Sequence, residues 1–490
     1  MTELPEPDSA ETQAGEVAYR DSRRAALRIL QHDKAHALRR VLSFILVVGL
    51  AWAIWSVMTV GMPPEQRAVL FLFLLSIGLW ATEAVPAFAV GLFIMGFLVF
   101  ALGTPILVEE PWDVTPYLNT WSSQVIWLIL GGFFLGEGLA RTGLDRKLFA
   151  FAIKPAGSQP RNVLLAVMLT TAVASMFVSN TSTTVLMIGA VTPLIRQLGT
   201  AEPFSKALLL AIPMAAGVGG MGTIIGSAPN AIAVGIAADF GTTVDFVEWM
   251  IVGVPIALAL VIVGWLFLLK LYPARIEHVS LDMDTLDEPE MTGRRERAIV
   301  ILVSIVTVAL WMTTPLHGVH VAAVSLIPIV GLTMTQVIGA TQVRSLPWDT
   351  LMLVAGGLSL GAAVVDTGLA YEMADGLKFL TAVDSDVLVF AVMALITVIL
   401  SNFMSNTATV ALVLPIAVAL LPGRELAMCL ILGLSASCAL LLPVSTPPNA
   451  VAFATGKIQT RDFRPGGLLI GVIGPAFVIV WVLLLARFVT

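Results

Sequence analysis

Two polar runs stand inside otherwise apolar sequence: "SNTSTTVLM" beginning at Ser179 and "SNTATVALV" beginning at Ser405. Each Ser-Asn-Thr triplet, Ser179-Asn180-Thr181 and Ser405-Asn406-Thr407, has another serine four residues ahead, Ser175 and Ser401. Downstream of each lies a stretch that cannot stay helical. The first is "GVGGMGTIIGSAPNAIAVG" (217–235), the second "LLLPVSTPPNAVAFATG" (440–456). Glycine and proline stop a helix, which frees carbonyl oxygens and, after Asn230 and Asn449, is expected to open a new helix N-terminus. Freed carbonyls and serine hydroxyls are hard neutral oxygens suited to Na⁺. Helix N-termini and amide groups suit anions. Neither hairpin stretch nor either break contains Arg or Lys. A divalent anion held there would meet only partial charges. Desolvating an uncompensated ion costs several kcal/mol, and each helix end returns only about 0.3–2 kcal/mol. Co-bound cations are the natural remainder.

Other chemistry is absent from the sequence. No HExxH, GxSxG or phosphate-loop pattern occurs, and the five histidines lie outside the apolar stretches or at their edges. Cys429 and Cys438 read as packed free thiols.

The elements that must position the triplets follow from composition. The chain has 490 residues, 58% hydrophobic and 12% charged, about half the charged share of a soluble domain. Mean hydropathy is +0.93. Apolar runs of about 20 residues, enough to cross a ~30 Å hydrocarbon core, recur from Val41 to the C-terminus. The expected fold class is an all-α polytopic membrane protein. No cleavable signal peptide is apparent, and the net charge of −6 is small. The basic stretch "YRDSRRAALRILQHDKAHALRR" is either an amphipathic helix on the inner leaflet or a plain charged tail. Both place the N-terminus in the cytoplasm.

Lys and Arg concentrate at 141–161, 196–206, 270–297 and 457–464, whereas acidic residues dominate 104–114, 239–248 and 366–386. Lys and Arg mark cytoplasmic loops. The charges sort consistently if the charge-free stretches 162–195 and 387–421 are re-entrant hairpins, one entering from each side. That gives about eleven transmembrane helices plus two hairpins. Internal similarity, "LILGGFFLGEGLARTGL" (128–144) against "LVAGGLSLGAAVVDTGL" (353–369), makes the halves an inverted repeat. Inverted repeats with interrupted helices belong to secondary transporters whose substrate binds near the midplane. The triplets then cap hairpin turns that face an interior site, since lipid cannot satisfy turn backbone. Glu83, Glu137 and Asp366 read as structural carboxylates.

The paired SNT hairpins, the "IGSAPN" and "STPPN" breaks and the inverted repeat resemble the divalent anion/sodium symporter family, which includes the INDY-type dicarboxylate transporters; the resemblance covers about residues 41–490. It implies a homodimer in the cell inner membrane, with a fixed scaffold and a transport domain moving as an elevator. Its implied order is a cytoplasmic tail (1–40), scaffold helices (41–120), a first transport region (121–248; hairpin 162–195, broken helix 207–238), scaffold helices with a cytoplasmic linker (249–346; linker 273–297), a second transport region (347–465; hairpin 387–421, broken helix 426–455) and a last transmembrane helix (466–490). One Na⁺ would be held by Ser175, Ser179, Asn180 and the Gly226 carbonyl, the other by Ser401, Ser405, Asn406 and the Ser445 carbonyl. Asn180, Thr181, Asn406 and Thr407 would contact the substrate carboxylates, with Ser227 and Pro447 lining the pocket. The chain departs from the family pattern at Ser227-Ala228-Pro229-Asn230, where Thr-Pro-Pro-Asn is usual, and at Ser182, where Ala is usual.

The resemblance implies a Na⁺-coupled carrier of C4-dicarboxylates such as succinate. Sulfate or another small oxyanion, and obligate exchange, are alternatives. An anion channel built on the same dipole ends would need no counter-ion. An intramembrane enzyme would need a nucleophile–base pair or a metal set, which the sequence lacks.

Overall fold

The computed structural model describes residues 38–59, 61–199, 201–279, 293–381 and 385–489. Most of the N-terminal tail, the middle of the expected linker and Asp384 lie outside the described residues. Among the described residues the regular structure is entirely helical. The helices are α1 (Leu38–Met58), α2 (Pro64–Thr82), α3 (Ala87–Leu102), α4 (Gln124–Thr142), α5 (Leu144–Ile153), α6 (Pro160–Ser175), α7 (Asn180–Leu198), α8 (Pro203–Gly219), α9 (Ala228–Asp239) and α10 (Phe246–Leu271). They continue with α11 (Arg294–Met312), α12 (Val321–Met334), α13 (Trp348–Asp366), α14 (Leu369–Asp375), α15 (Asp386–Ser401), α16 (Asn406–Leu420), α17 (Glu425–Ala436), α18 (Pro447–Ala454) and α19 (Thr460–Val489). Short turns of helix at Thr115–Leu118, Thr314–His317 and Ala340–Ser345 link some of them.

Seven stretches are helical, long and apolar enough to cross a bilayer, and six shorter apolar helices accompany them. The protein is a polytopic membrane protein. Each charge-free stretch forms two contacting helices, α6–α7 and α15–α16, joined by a turn at 176–179 or 402–405. The long apolar segments are interrupted, because Gly143 and Gly368 adopt φ of +64° and +75°. Both belong to a repeated Thr-Gly-Leu, and each glycine ends one helix and caps the next. That left-handed backbone is open to glycine at little steric cost. The last helix starts earlier than its apolar core, at Thr460, and passes through Arg461 and Arg464. Asp462 accepts a 2.8 Å hydrogen bond from the Gln459 N–H at its start, and Lys206 reaches the same carboxylate at 3.2 Å.

The two halves are woven through each other. Helix α4 packs on α12 of the second half, and α13 packs on α3 of the first. Helix α9 packs on α16 and α17, while α18 packs on α7 and α8. Every half-helix beyond a break therefore leans on the other half's hairpin. Equivalent glycines allow the closest crossings. A Cβ on Gly356 would come 2.3 Å from the Gly91 Cα, and one on Gly131 3.0 Å from the Ser325 Cβ. By contrast, a Cβ on Gly96 of α3 meets nothing within 4 Å. Overpacking of this kind costs about 1–3 kcal/mol. Gly356→Ala is expected to lower the melting temperature of the purified protein clearly, and Gly96→Ala to leave it in place, as thermal-shift measurements would read.

Candidate functional site

The breaks determine the site's shape. After α8 the chain passes through two turns of 3₁₀ helix, Gly220–Gly222 and Ile224–Gly226, before α9 begins. After α17 it runs irregularly through 437–446 to α18. The new helices start at Ala228 and Pro447, not after Asn230 and Asn449 as expected. Proline near a helix start has the right φ and lacks an N–H that would go unpaired. Thr446 caps the second, accepting from the Asn449 N–H at 3.3 Å. The two asparagines instead turn their side chains back. The Asn230 Nδ2 donates to the Gly220 and Thr223 carbonyls, both at 2.8 Å. The Asn449 Nδ2 donates to the Leu440 and Leu442 carbonyls at 3.2 and 2.9 Å. Each amide thus clasps two carbonyls that the break has freed.

At the hairpin tips, Ser179 and Ser405 are N-caps. Their hydroxyls accept from the Ser182 N–H at 3.5 Å and the Ala408 N–H at 3.1 Å. Ser175 is fully buried, and its hydroxyl lies between the Asn180 Oδ1 and the Ala216 carbonyl, 2.9 Å from the latter. Three oxygens there share one proton. The Gly226 backbone closes the same cluster: a Cβ on Gly220 would sit 2.9 Å from the Asn180 amide atoms and from the Gly226 carbonyl oxygen, and one on Gly226 3.1 Å from the Ser175 backbone carbonyl oxygen. Side-chain and carbonyl oxygens crowded this closely fit a small hard cation. In the second half, the buried Ser401 hydroxyl, the Asn406 Oδ1 and the Ser437 hydroxyl have no hydrogen-bond partner. Buried oxygens left unpartnered carry a desolvation cost that a ligand would relieve.

A single cavity of about 1100 Å³ joins the two halves. Both triplets line it, as do Gly226, Ser227, Ser445 and Pro447. Ser175 and Ser401 lie behind the wall. Toward the surface the lining includes Glu83, Glu137, Asp145 and Asp349, and among the described residues no Lys or Arg lines it. Glu83 ends α2 in a left-handed conformation, φ +50°. Burial pushes the Asp145 carboxyl above its ordinary value, opposed by a 2.7 Å bond from the Arg146 N–H and by the Arg146 charge.

Sequence reasoning missed three residues. Asn402, at the place Met176 takes in the other hairpin, accepts at its Oδ1 from the Leu441 N–H at 2.8 Å and the Ser445 hydroxyl at 2.9 Å. Comparing "SMFVSNT" with "SNFMSNT" would have flagged it. Thr223 donates to the Met176 carbonyl and so ties the first break to its hairpin. Ser437 had no sequence signal beyond lying at the edge of an apolar run.

A family profile described as "Citrate transporter" (CitMHS) matches residues 77–428. The chain belongs to the citrate transporter family. It is a transporter and not an enzyme, and a member of the divalent anion/sodium symporters that its duplicated triplets resemble. Among similar sequences are the sodium-dependent dicarboxylate transporters SdcS of Staphylococcus saprophyticus and Staphylococcus aureus. The first is 29% identical over 454 residues, covering 84% of this chain and 85% of the relative. The second is 29% identical over 439 residues, covering 82% of each. Two solved structures share the fold with this citrate-transporter-family chain. One is Neisseria gonorrhoeae MtrF, of a class of antimetabolite efflux pumps, with TM-score 0.53, 14% identity, and 83% of this chain and 96% of that one covered. The other is the Alcanivorax borkumensis YdaH transporter, with TM-score 0.52, 14% identity, and 83% and 98% covered.

The Asn230 and Asn449 clasps yield a prediction. Asn230→Ala or Asn449→Ala leaves two buried carbonyls without their donor, a loss of about 1–3 kcal/mol. Each variant is expected to unfold at lower temperature than the parent in the same detergent, followed by far-UV circular dichroism.

Proposed function

We propose that this protein carries small dicarboxylates, C4 acids such as succinate foremost, across the cell inner membrane together with Na⁺. The observation that carries this reading is the cavity's lining: amide, hydroxyl and carbonyl groups deep inside, carboxylates toward the surface, and, among the described residues, no basic side chain. A dianion cannot settle there on helix ends and amides alone, so cations must bind beside it. Na⁺ is assigned to Ser175, Ser179, Asn180 and the Gly226 carbonyl on one side, and to Ser401, Ser405, Asn406 and the Ser445 carbonyl on the other. The substrate carboxylates are assigned to Asn180, Thr181, Asn406 and Thr407, with Ser227 and Pro447 beside them. The names of the SdcS relatives support both sodium and dicarboxylate. The family description makes citrate the first competitor to test.

The same reading makes the reciprocal packing an inverted repeat. The hairpins and broken helices would form the moving body of an elevator, within a homodimer. Asp145 lies within 141–161, a stretch that its basic residues assign to the cytoplasm, so the described conformation would face inward, with the N-terminus inside.

The deciding experiment is uptake of labelled succinate, citrate, tartrate and sulfate into proteoliposomes, with Na⁺ or K⁺ outside. Succinate uptake is expected only with Na⁺ and is expected to vanish in Asn180→Ala and Asn406→Ala. Sodium-indifferent uptake, or a sustained current without counter-ion, would replace this reading with the channel. Ser437→Ala removes a hydroxyl that lines the cavity in the second half and has no partner among the described residues. A hydrogen bond to a charged group is worth about 1.5–3 kcal/mol. The variant's substrate half-saturation concentration is therefore expected to rise about tenfold or more, with the maximal rate retained.

A further inference from the structure

A second large space, about 1020 Å³, has walls that are almost wholly apolar; it shares Asp145, Phe149, Phe177 and Val178 with the cavity above but none of the triplet residues. It lies among α4, α5, α6 and α11, and its walls include Leu148, Phe151, Val173, Ile305 and Met312. These five side chains are exposed in the isolated chain, Phe151 to 78% and Ile305 to 62%. In a protein that spans a bilayer, such a surface meets acyl chains rather than water. Along α6 the lining runs from Asn162 to Val173 and on to Val178. At 1.5 Å per helical residue this is about 20 Å, longer than the ~15 Å of hydrocarbon in one leaflet. The groove therefore holds the full length of a lipid tail.

One end of the groove carries two exposed basic residues, beside the segment of Glu277 and His278 that meets Ser158. Pro155 and Asn162 line that end, and their chain neighbours Lys154 and Arg161 are both exposed. Arg161 is also steadied by the Trp265 ring, 5.8 Å from its guanidinium carbon. The only carboxylate on the lining, Asp145, already accepts from the Arg146 N–H. Tail and charge lie in the order a lipid needs.

We infer that this groove binds one anionic phospholipid, its tail between α6 and α11 and its phosphate at Lys154 and Arg161. The inference rests on bilayer embedding and is independent of the proposed substrate. It is tested by native mass spectrometry of the purified full-length protein, released from micelles containing equimolar phosphatidylglycerol and phosphatidylcholine of the same chain length. No sodium gradient or substrate is present, so failure of the transport reading leaves the result untouched. Phosphatidylglycerol is expected to stay bound preferentially. Each basic side chain near an anionic headgroup contributes about fivefold, so Lys154→Glu with Arg161→Glu, which removes both and adds repulsion, is expected to lower retention at least about 25-fold. Ala166→Trp, which fills the groove without touching charge, is expected to lower retention of both lipids. Equal retention of the two lipids would overturn the inference. So would phosphatidylglycerol binding unchanged by both variants, or a dimer that Ala166→Trp dissociates while lipid binding stays the same.

Discussion

Backbone polar groups inside a membrane must be paired by protein, because lipid offers nothing to pair with them. The two breaks in this chain release carbonyls in that environment, and the rest of the site depends on how those carbonyls are kept. Asn230 and Asn449 do it identically, one amide nitrogen bridging two carbonyls at 2.8–3.2 Å. With the breaks held open, α9 and α18 can begin where the interior needs a helix start. With them collapsed, there would be two ordinary kinked helices and no chamber.

The exchange of parts between halves follows from the same constraint. A half-helix of only Pro447–Ala454 buries too little to hold its own position, and most helical stability in proteins comes from packing rather than propensity. It leans on α7 and α8, while α9 leans on α16 and α17. The two tips are thereby brought to one cavity although their asparagines stand far apart in sequence. Symmetry is not complete. The first turn is tied through Thr223 to a backbone carbonyl, the second through Asn402 to Ser445 and Leu441.

Much of this was legible in the sequence. The triplets, the Pro-Asn breaks and the alternation of basic and acidic loops are local signals, and each depends on residue types that have few other uses inside apolar stretches. The helix starts at Ala228 and Pro447 come three residues ahead of those expected after Asn230 and Asn449, because the asparagines lie inside the first turn and act as clasps. The similar stretches 128–144 and 353–369 carried no sign that helices divide at Gly143 and Gly368, since a glycine within an apolar run does not announce its φ. Ser437 and the gathering of Glu83, Glu137, Asp145 and Asp349 around one opening were invisible. Their relation exists only in three dimensions, where α2, α4, α5 and α13 converge.

That ring of carboxylates has a consequence for ionic conditions. The Arg146 charge beside Asp145 tempers the ring, and the field that remains gathers mobile cations over a distance fixed by the Debye length of about 8 Å at physiological ionic strength. Inert salt compresses this atmosphere. A chloride of potassium or choline thus flattens the field at the doorway while leaving the buried Ser175 and Ser401 hydroxyls behind the wall untouched, so ionic strength acts on this protein at its opening and not in its dry interior.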